Sequence, residues 1–228
     1  MTRTHGRILP VFFLSAVMQT ATAQFEGIVE SKNMTTDELG KQQQFTMTMW
    51  IKKDMVRIQN SATGTSPVST MIYRNDRRVV WMINDEDHSY FEIVQENQSQ
   101  KPGEAPGVIE DEKPVLRKTG RKKSILGYKC QQFFLKRSDT ETEIWGTQNL
   151  SSLAASLSQA LGEEQGDPMS GLADELTKMG IFPLVAYTRI GKNVVESQEV
   201  TRISPQTLQQ ELFEIPEGYR RQKAGEMK

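Results

Sequence analysis

Apolar and polar residues alternate most cleanly over Gln44–Lys52, where Phe45, Met47, Met49 and Ile51 are interleaved with Thr46, Thr48 and Trp50. Strict period-two alternation marks an antiparallel strand with one face on a core. The same reading predicts a strand before it at Phe25–Met34. After it come strands at Asp54–Asn60, Val68–Arg74, Arg78–Asn84 and Ser89–Gln95. The joints Asn75-Asp76-Arg77 and Asp85-Glu86-Asp87-His88 are polar and short, as hairpins of a meander require. Gln95–Pro114 is rich in Pro, Gly, Gln and Glu and reads as a long mobile loop. Strands resume at Val115–Thr119, Tyr128–Arg137 and Thr140–Gly146, and a last pair, Leu184–Ile190 and Asn193–Ile203, turns at Gly191-Lys192.

The period changes between Gly146 and Leu184. In Asn149–Leu161, Leu150, Leu153, Ala154, Leu157 and Leu161 recur at helical spacing. In Asp167–Met179, Met169, Leu172, Leu176 and Met179 share one face. Asp167 suits the cap, Pro168 the first turn and Gly180 the C-terminal cap. A third short helix is expected from Ser204-Pro205. The predicted class is α+β: a strongly curved antiparallel sheet, a half-barrel, with two or three helices on one face.

The first residues change the picture of where this domain works. Arg3 and Arg7 precede the apolar run Ile8–Val17, and Ala21-Thr22-Ala23 offers small residues before Gln24. This is the layout of a secretory signal peptide over 1–23, with an apolar run too short to span a bilayer. The expected location is periplasmic or secreted. Residues 24–228 then form a single domain with a mobile loop at 95–114 and a flexible tail at 220–228, and no integral membrane segment remains after cleavage. Without Arg3 and Arg7 the chain carries 26 basic against 29 acidic residues, a formal charge of −3. That balance argues against a nucleic-acid binder, which is usually basic.

The available chemistry is narrow. His5 leaves with the signal peptide, so His88 is the one imidazole left, in a turn of carboxylates. A Ser-His-Asp or Cys-His site would have to use it. Zinc normally takes several His or Cys ligands, which are missing, and no GxGxxG, GxxxxGK[ST] or HExxH occurs. No metal, cofactor or catalytic residue is expected. Glu141 and Glu143, two apart on one strand, read as an exposed face. Cys130 is a lone cysteine in Gly127-Tyr128-Lys129-Cys130, open to three readings: a small buried hydrophobe, an intermolecular disulfide or a reactive thiol. Lys118, Arg121, Lys122 and Lys123 form a basic cluster, expected on the turn leading to this stretch. It is either a solvated hairpin tip or a contact for anionic lipid head groups or an acidic partner. Methionines at 34, 47, 49, 55, 71, 82, 169 and 179 fall on the predicted strands and helices, where flexible thioethers suit an adaptable apolar surface or an ordinary core.

Five short stretches carry a resemblance: Lys118-Thr119-Gly120, Ile125-Leu126-Gly127-Tyr128-Lys129-Cys130, Trp145-Gly146-Thr147, Gly180-Ile181-Phe182-Pro183-Leu184 and Phe213-Glu214-Ile215-Pro216-Glu217-Gly218-Tyr219. In this order they resemble bacterial exported proteins of the DUF4412 family. That resemblance implies kinship with the lipoprotein-carrier, LolA/LolB-like fold, a half-open barrel closed by helices over an apolar cavity. It brings no catalytic residues. The expected function is non-enzymatic: a periplasmic protein that holds a lipid or other apolar ligand between sheet and helices. Phe45, Met47, Met49, Met82, Leu153, Leu157, Leu172 and Leu176 would line the site, with Gly162, Gly166 and Gly180 as hinges. The alternative is an envelope interaction or sensor module with a filled core and a protein partner.

Overall fold

The computed structural model describes residues 24–37, 39–62, 67–95, 115–161 and 176–222. The expected signal peptide and the Gly162 and Gly166 hinges lie outside these residues, as do Leu172 and 96–114 of the expected loop. Eleven of the twelve strands among the described residues lie where the sequence predicts strands. They are β1 (Glu26–Thr36), β2 (Gln42–Lys52), β3 (Met55–Ala62), β4 (Pro67–Arg74), β5 (Val79–Asn84) and β6 (Ser89–Val94), then β7 (Val115–Ile125), β8 (Tyr128–Arg137), β9 (Thr140–Thr147), β10 (Phe182–Ile190) and β11 (Asn193–Pro205). The twelfth, β12 (Arg220–Arg221), is the short exception. All join in one large, open, curved sheet of order β12-β6-β5-β4-β3-β2-β1-β11-β10-β9-β8-β7. Two meanders, β1–β6 and β7–β11, meet at the β1–β11 seam. Every pairing is antiparallel except β12 with β6.

The helical segments pack into different clusters: helix α1 (Ser151–Leu161) into the one that holds Val29, Met49, Cys130 and Trp145, Leu176 into the one that holds Phe133, Leu135 and Ile144. Helix α1 buries Leu153, Ala154, Ser156 and Ala160. Its C-terminal end is tied to the β3 and β4 ends: Asn75 Nδ2 donates to the Gln159 carbonyl at 2.7 Å, and Gln159 Nε2 to Asp54 at 2.6 Å. Of the second predicted helix, Leu176–Lys178 are described and helical. Gly180 ends it as predicted, with φ of +64°, while Ile181 N–H bonds to Leu176 O and Gly180 N–H to Thr177 O, both at 2.8 Å. This is a Schellman motif, which needs the left-handed residue that glycine supplies most readily. Leu176 packs with Phe133, Leu135, Ile144 and Ile181.

The face of β3–β5 turned away from α1 is covered by a strap that sequence periodicity does not reveal. The expected helix at Ser204-Pro205 is instead the end of β11, because Gly27 pairs with Pro205 and Ile28 with Ser204. The chain then runs through a 3-10 turn at Gln210–Phe213, placing Leu208 and Phe213 against Met55, Ile72, Trp81 and Ile83. Arg220 and Arg221, expected in a flexible tail, pair with Ser89 and Tyr90 as β12.

Charged groups pin the strap. Arg74, 2% exposed, bonds to Asp76, to the Phe213 carbonyl and to Glu214. Glu26 accepts from Leu208 N–H at 2.7 Å and pairs with Lys52 at 3.2 Å. The hydrogen bond from Arg74 holds the Asp76 carboxyl below its usual range, and the Leu208 N–H, helped by Lys52, does the same for Glu26. Depressed carboxyl values stabilise the fold above the unfolded value, near pH 4, and that stabilisation is lost as pH falls through the folded values. The strap should therefore loosen on acidification below about pH 4. Urea unfolding at neutral and acid pH checks this: Asp76→Asn should be less stable than the parent at neutral pH and lose less stability on acidification. Equal losses in both proteins would show that Asp76 does not contribute to the acid sensitivity.

Candidate functional site

The candidate site is built from the strand register. On the helix-bearing face, one cross-strand row is Gly27, Ile51, Val56, Tyr73, Val80 and Ile93. The next is Val29, Met49, Ile58, Met71, Met82 and Phe91. Near α1 these rows are covered: Val29, Ile51 and Val56 are fully buried and Met49 is 5% exposed. Toward β6 the cover ends. Met71 and Phe91 are half-buried, Met82 is 44% exposed and Ile93 50%. The result is an apolar band that emerges from beneath α1 and runs to the β6 edge. A third row, Ser31, Met47, Asn60 and Ser69, flanks it with polar groups. There Asn33 Nδ2 donates to Ser31 Oγ at 3.0 Å and Asn60 Nδ2 to Ser69 Oγ at 3.3 Å. Asn60 Oδ1 is buried and has no hydrogen-bond partner among the described residues.

The predicted lining residues divide accordingly. Met49 and Leu153 belong to the packed core, with Met47 and Leu157 against its border. Phe45 is half-buried at the far end of the face, paired with Asn33 and Ala62. Met82 lies on the open band. Leu176 is 2% exposed, in a separate cluster on the β8–β10 side, so it does not share a space with Met82. Sequence reasoning found the methionines but missed Met82's cross-strand neighbours Phe91 and Ile93, because alternation gives the face of a residue and not where a helix stops covering it.

The polar candidates resolve differently. Glu141 is exposed, but Glu143 is not a solvated carboxylate. It accepts from Gln132 Nε2 at 2.8 Å and Trp145 Nε1 at 2.9 Å, and pairs with Arg189 at 3.3 Å. Burial pushes its carboxyl up, yet these partners outweigh burial and leave it below the ordinary value. Each oxygen is engaged, so the group is a fixed cross-strand tie. Cys130 is 2% exposed, and burial pushes its thiol up, away from the reactive thiolate. Its position fits packing and gives a partner thiol no access. His88 occupies the expected turn, with φ of +49° and its ring 5.3 Å from that of Tyr219. Among the described residues, no three His, Cys, Asp or Glu side chains are grouped to hold a metal.

Lys118, Arg121, Lys122 and Lys123 are all exposed, but on a strand and not on a turn. The hairpin turn is confined to Leu126 and Gly127, both with positive φ, and β7 runs through the cluster with an irregularity between Lys118 and Lys122. Lys123 lies 4.2 Å from the Trp145 ring centre.

The five stretches noted in the sequence occupy joints of this fold. They are the β7 irregularity, the β7–β8 turn, the end of β9, the Schellman cap leading into β10, and the strap. Gly146 is required where it is because a Cβ there would overlap Ile181 Cγ2. The model of the family described as a domain of unknown function, DUF4412, matches residues 25–219. The chain belongs to the DUF4412 family. No match is found among curated proteins. This DUF4412 chain is similar to several solved structures. A structure of PNGF-II shares 14% identity and a TM-score of 0.39, with 87% of this chain covering 32% of that one. MucB shares 10% identity and a TM-score of 0.41, with 85% of this chain covering 58% of that one. A LolA superfamily protein from Nitrosomonas europaea shares 10% identity and a TM-score of 0.36, with 84% of this chain covering 90% of that one. The chain thus spans about a third of the PNGF-II structure and somewhat over half of MucB. Among the described residues, no helix is long and apolar enough to cross a membrane.

Proposed function

We propose that this DUF4412 chain is a non-enzymatic binding protein of the cell envelope that holds an apolar or lipid-like ligand on the helix-bearing face of its sheet. The observation that carries this is the Met49–Ile58–Met71–Met82–Phe91 row, whose exposure grows from 5% at Met49 to 44% at Met82 where α1 no longer covers it. An acyl chain laid on this band would gain about 0.8 kcal/mol per methylene removed from water. Thioethers adapt to irregular chains without a fixed shape. The half-buried Asn60 and Ser69 would lie beside a polar group at the ligand's end.

Native mass spectrometry of the chain purified from producing cells without detergent tests the reading. An added mass that extracts into organic solvent supports it. A clean apo mass from folded protein favours the alternative, an envelope interaction module with no small ligand. Met71→Ser with Met82→Ser should lower ligand retention by about tenfold, the effect of losing near 1.4 kcal/mol of apolar contact. Met82 is already exposed, so the pair should keep most of the fold's stability. Unchanged retention in the folded double variant would remove the methionine band from the site.

A further inference from the structure

We infer that the outer edge of β7 is a docking surface for an acidic polypeptide segment. β7 is the terminal strand of the sheet, opposite in position to β12 and β6. Its residues Arg117, Lys118, Arg121, Lys122 and Lys123 are all exposed, and the strand carries no acidic residue. Arg117 lies 5.3 Å over Phe134 and Lys123 4.2 Å over Trp145. Lys118, Arg121 and Lys122 form no ion pair among the described residues. Register puts Lys118 opposite Phe133 and Lys122 opposite Gln131, on one face, and Lys123 opposite Cys130, on the other. Positive charge therefore surrounds the edge from both sides, within a chain whose formal net charge is −1.

Lysines on an edge strand guard against aggregation, and that alone could place some of them. The other edge argues for more than guarding. Beyond its two-residue pairing with β12, β6 leaves Ile93 at 50% and Val94 at 55% exposure, with no basic residue of its own. Among the described residues that edge has β12 over two residues and the single charge of Glu92, so five cations on β7 exceed the protection seen there. They also select. A second copy of β7 is repelled by like charge, and a neutral strand gains nothing from them, whereas an acidic segment is matched on both faces. The irregularity at Thr119–Arg121 is itself fixed, Thr119 Oγ1 donating to Gln132 at 2.9 Å and Gln131 Nε2 to the Thr119 carbonyl at 3.1 Å. It breaks the edge into two short runs, so charge supplies more of the attraction than a continuous ladder. This surface is separate from the methionine band, and its test does not depend on a ligand being there.

The test uses the full chain and two fluorescent peptides of equal length, one of alternating Glu and Ser, the other with Gln at each Glu. The Glu peptide should bind, weaken as salt is raised, and bind at least about tenfold more tightly than the Gln peptide. K118E/R121E/K122E should abolish that binding and bind a Lys/Ser peptide instead. This reversal shows that the variant is folded and that charge at this edge is the determinant. Equal binding of the Glu and Gln peptides, or loss in the triple variant without the reversed preference, would overturn the proposal. So would binding to vesicles rich in phosphatidylglycerol with none to the Glu peptide, which would make β7 a membrane-facing edge.

Discussion

Replacing Arg74 by alanine should destabilise the protein by about 2–3 kcal/mol, the upper end of the usual range for a single substitution, because it removes a buried stem and a hydrogen-bond network at once. Arg74 is 2% exposed, and no larger side chain among the described residues is as deeply buried. Its Nε and Nη2 meet Asp76 at 2.8 Å each, and its Nη1 meets both Glu214 and the Phe213 carbonyl, the latter at 3.1 Å. Asp76 and Glu214 keep about a third of their side-chain surface in water and can be rehydrated. The greater part of the loss comes from the packed stem and from the strap. Without the guanidinium, Phe213, which is fully buried against Ile72 and Trp81, loses the anchor beside it. Lysine should not rescue the site, because a single ammonium cannot present the planar fork that spans Asp76 and the strap. Urea unfolding measures the loss, and a change below about 1 kcal/mol would mean that the apolar strap contacts hold without the clasp.

The second large effect is expected at Leu153. Its side chain is fully buried between α1 and the sheet, in the cluster that contains Val29, Met49, Ile51 and Val56. Leu153→Ala should destabilise by about 2–5 kcal/mol, since it removes transfer energy and leaves a hole in a packed interior. The contrast with the Met71/Met82 pair is the useful part. Leu153 lies under the covered end of the rows and the methionines at the open end. The first substitution should change thermal stability with little change in ligand retained per folded molecule, and the second should do the reverse. If Leu153→Ala instead empties the protein of ligand while leaving stability near the parent value, the ligand lies under α1 and the open band is not its seat.

How far the sequence reaches can be judged at particular residues. The alternation of Phe45, Met47, Met49 and Ile51 locates β2 and its buried face, and Gly180 marks a helix end that the Schellman hydrogen bonds then complete. β7 is cut short at Thr119 in the sequence reading because a bulge and a run of cations hide the period-two pattern. The strap is invisible for a different reason: Leu208 and Phe213 are held by distant partners, and no local repeat announces them. Leu157 and Leu176 share helical spacing with their own neighbours, but spacing cannot tell that they pack on different parts of the sheet. Glu143 shows the same limit for polar groups, since its partners Gln132 and Arg189 come from other strands.

The seam between the two meanders has a kinetic consequence. Apart from β9 and β10, which are joined through 148–181, each meander is made of neighbouring hairpins, which close quickly because little chain entropy is lost. The β1–β11 pairing, by contrast, joins Gly27 to Pro205, nearly the two ends of the domain. It cannot form before residue 205 has been synthesised, so a nascent chain is held short of its native topology throughout its production. Loop-closure entropy therefore predicts that the docking of one meander on the other is the slow step of folding. A chain arrested there presents two open strand edges at its centre, which are vulnerable to mispairing until β1 and β11 join.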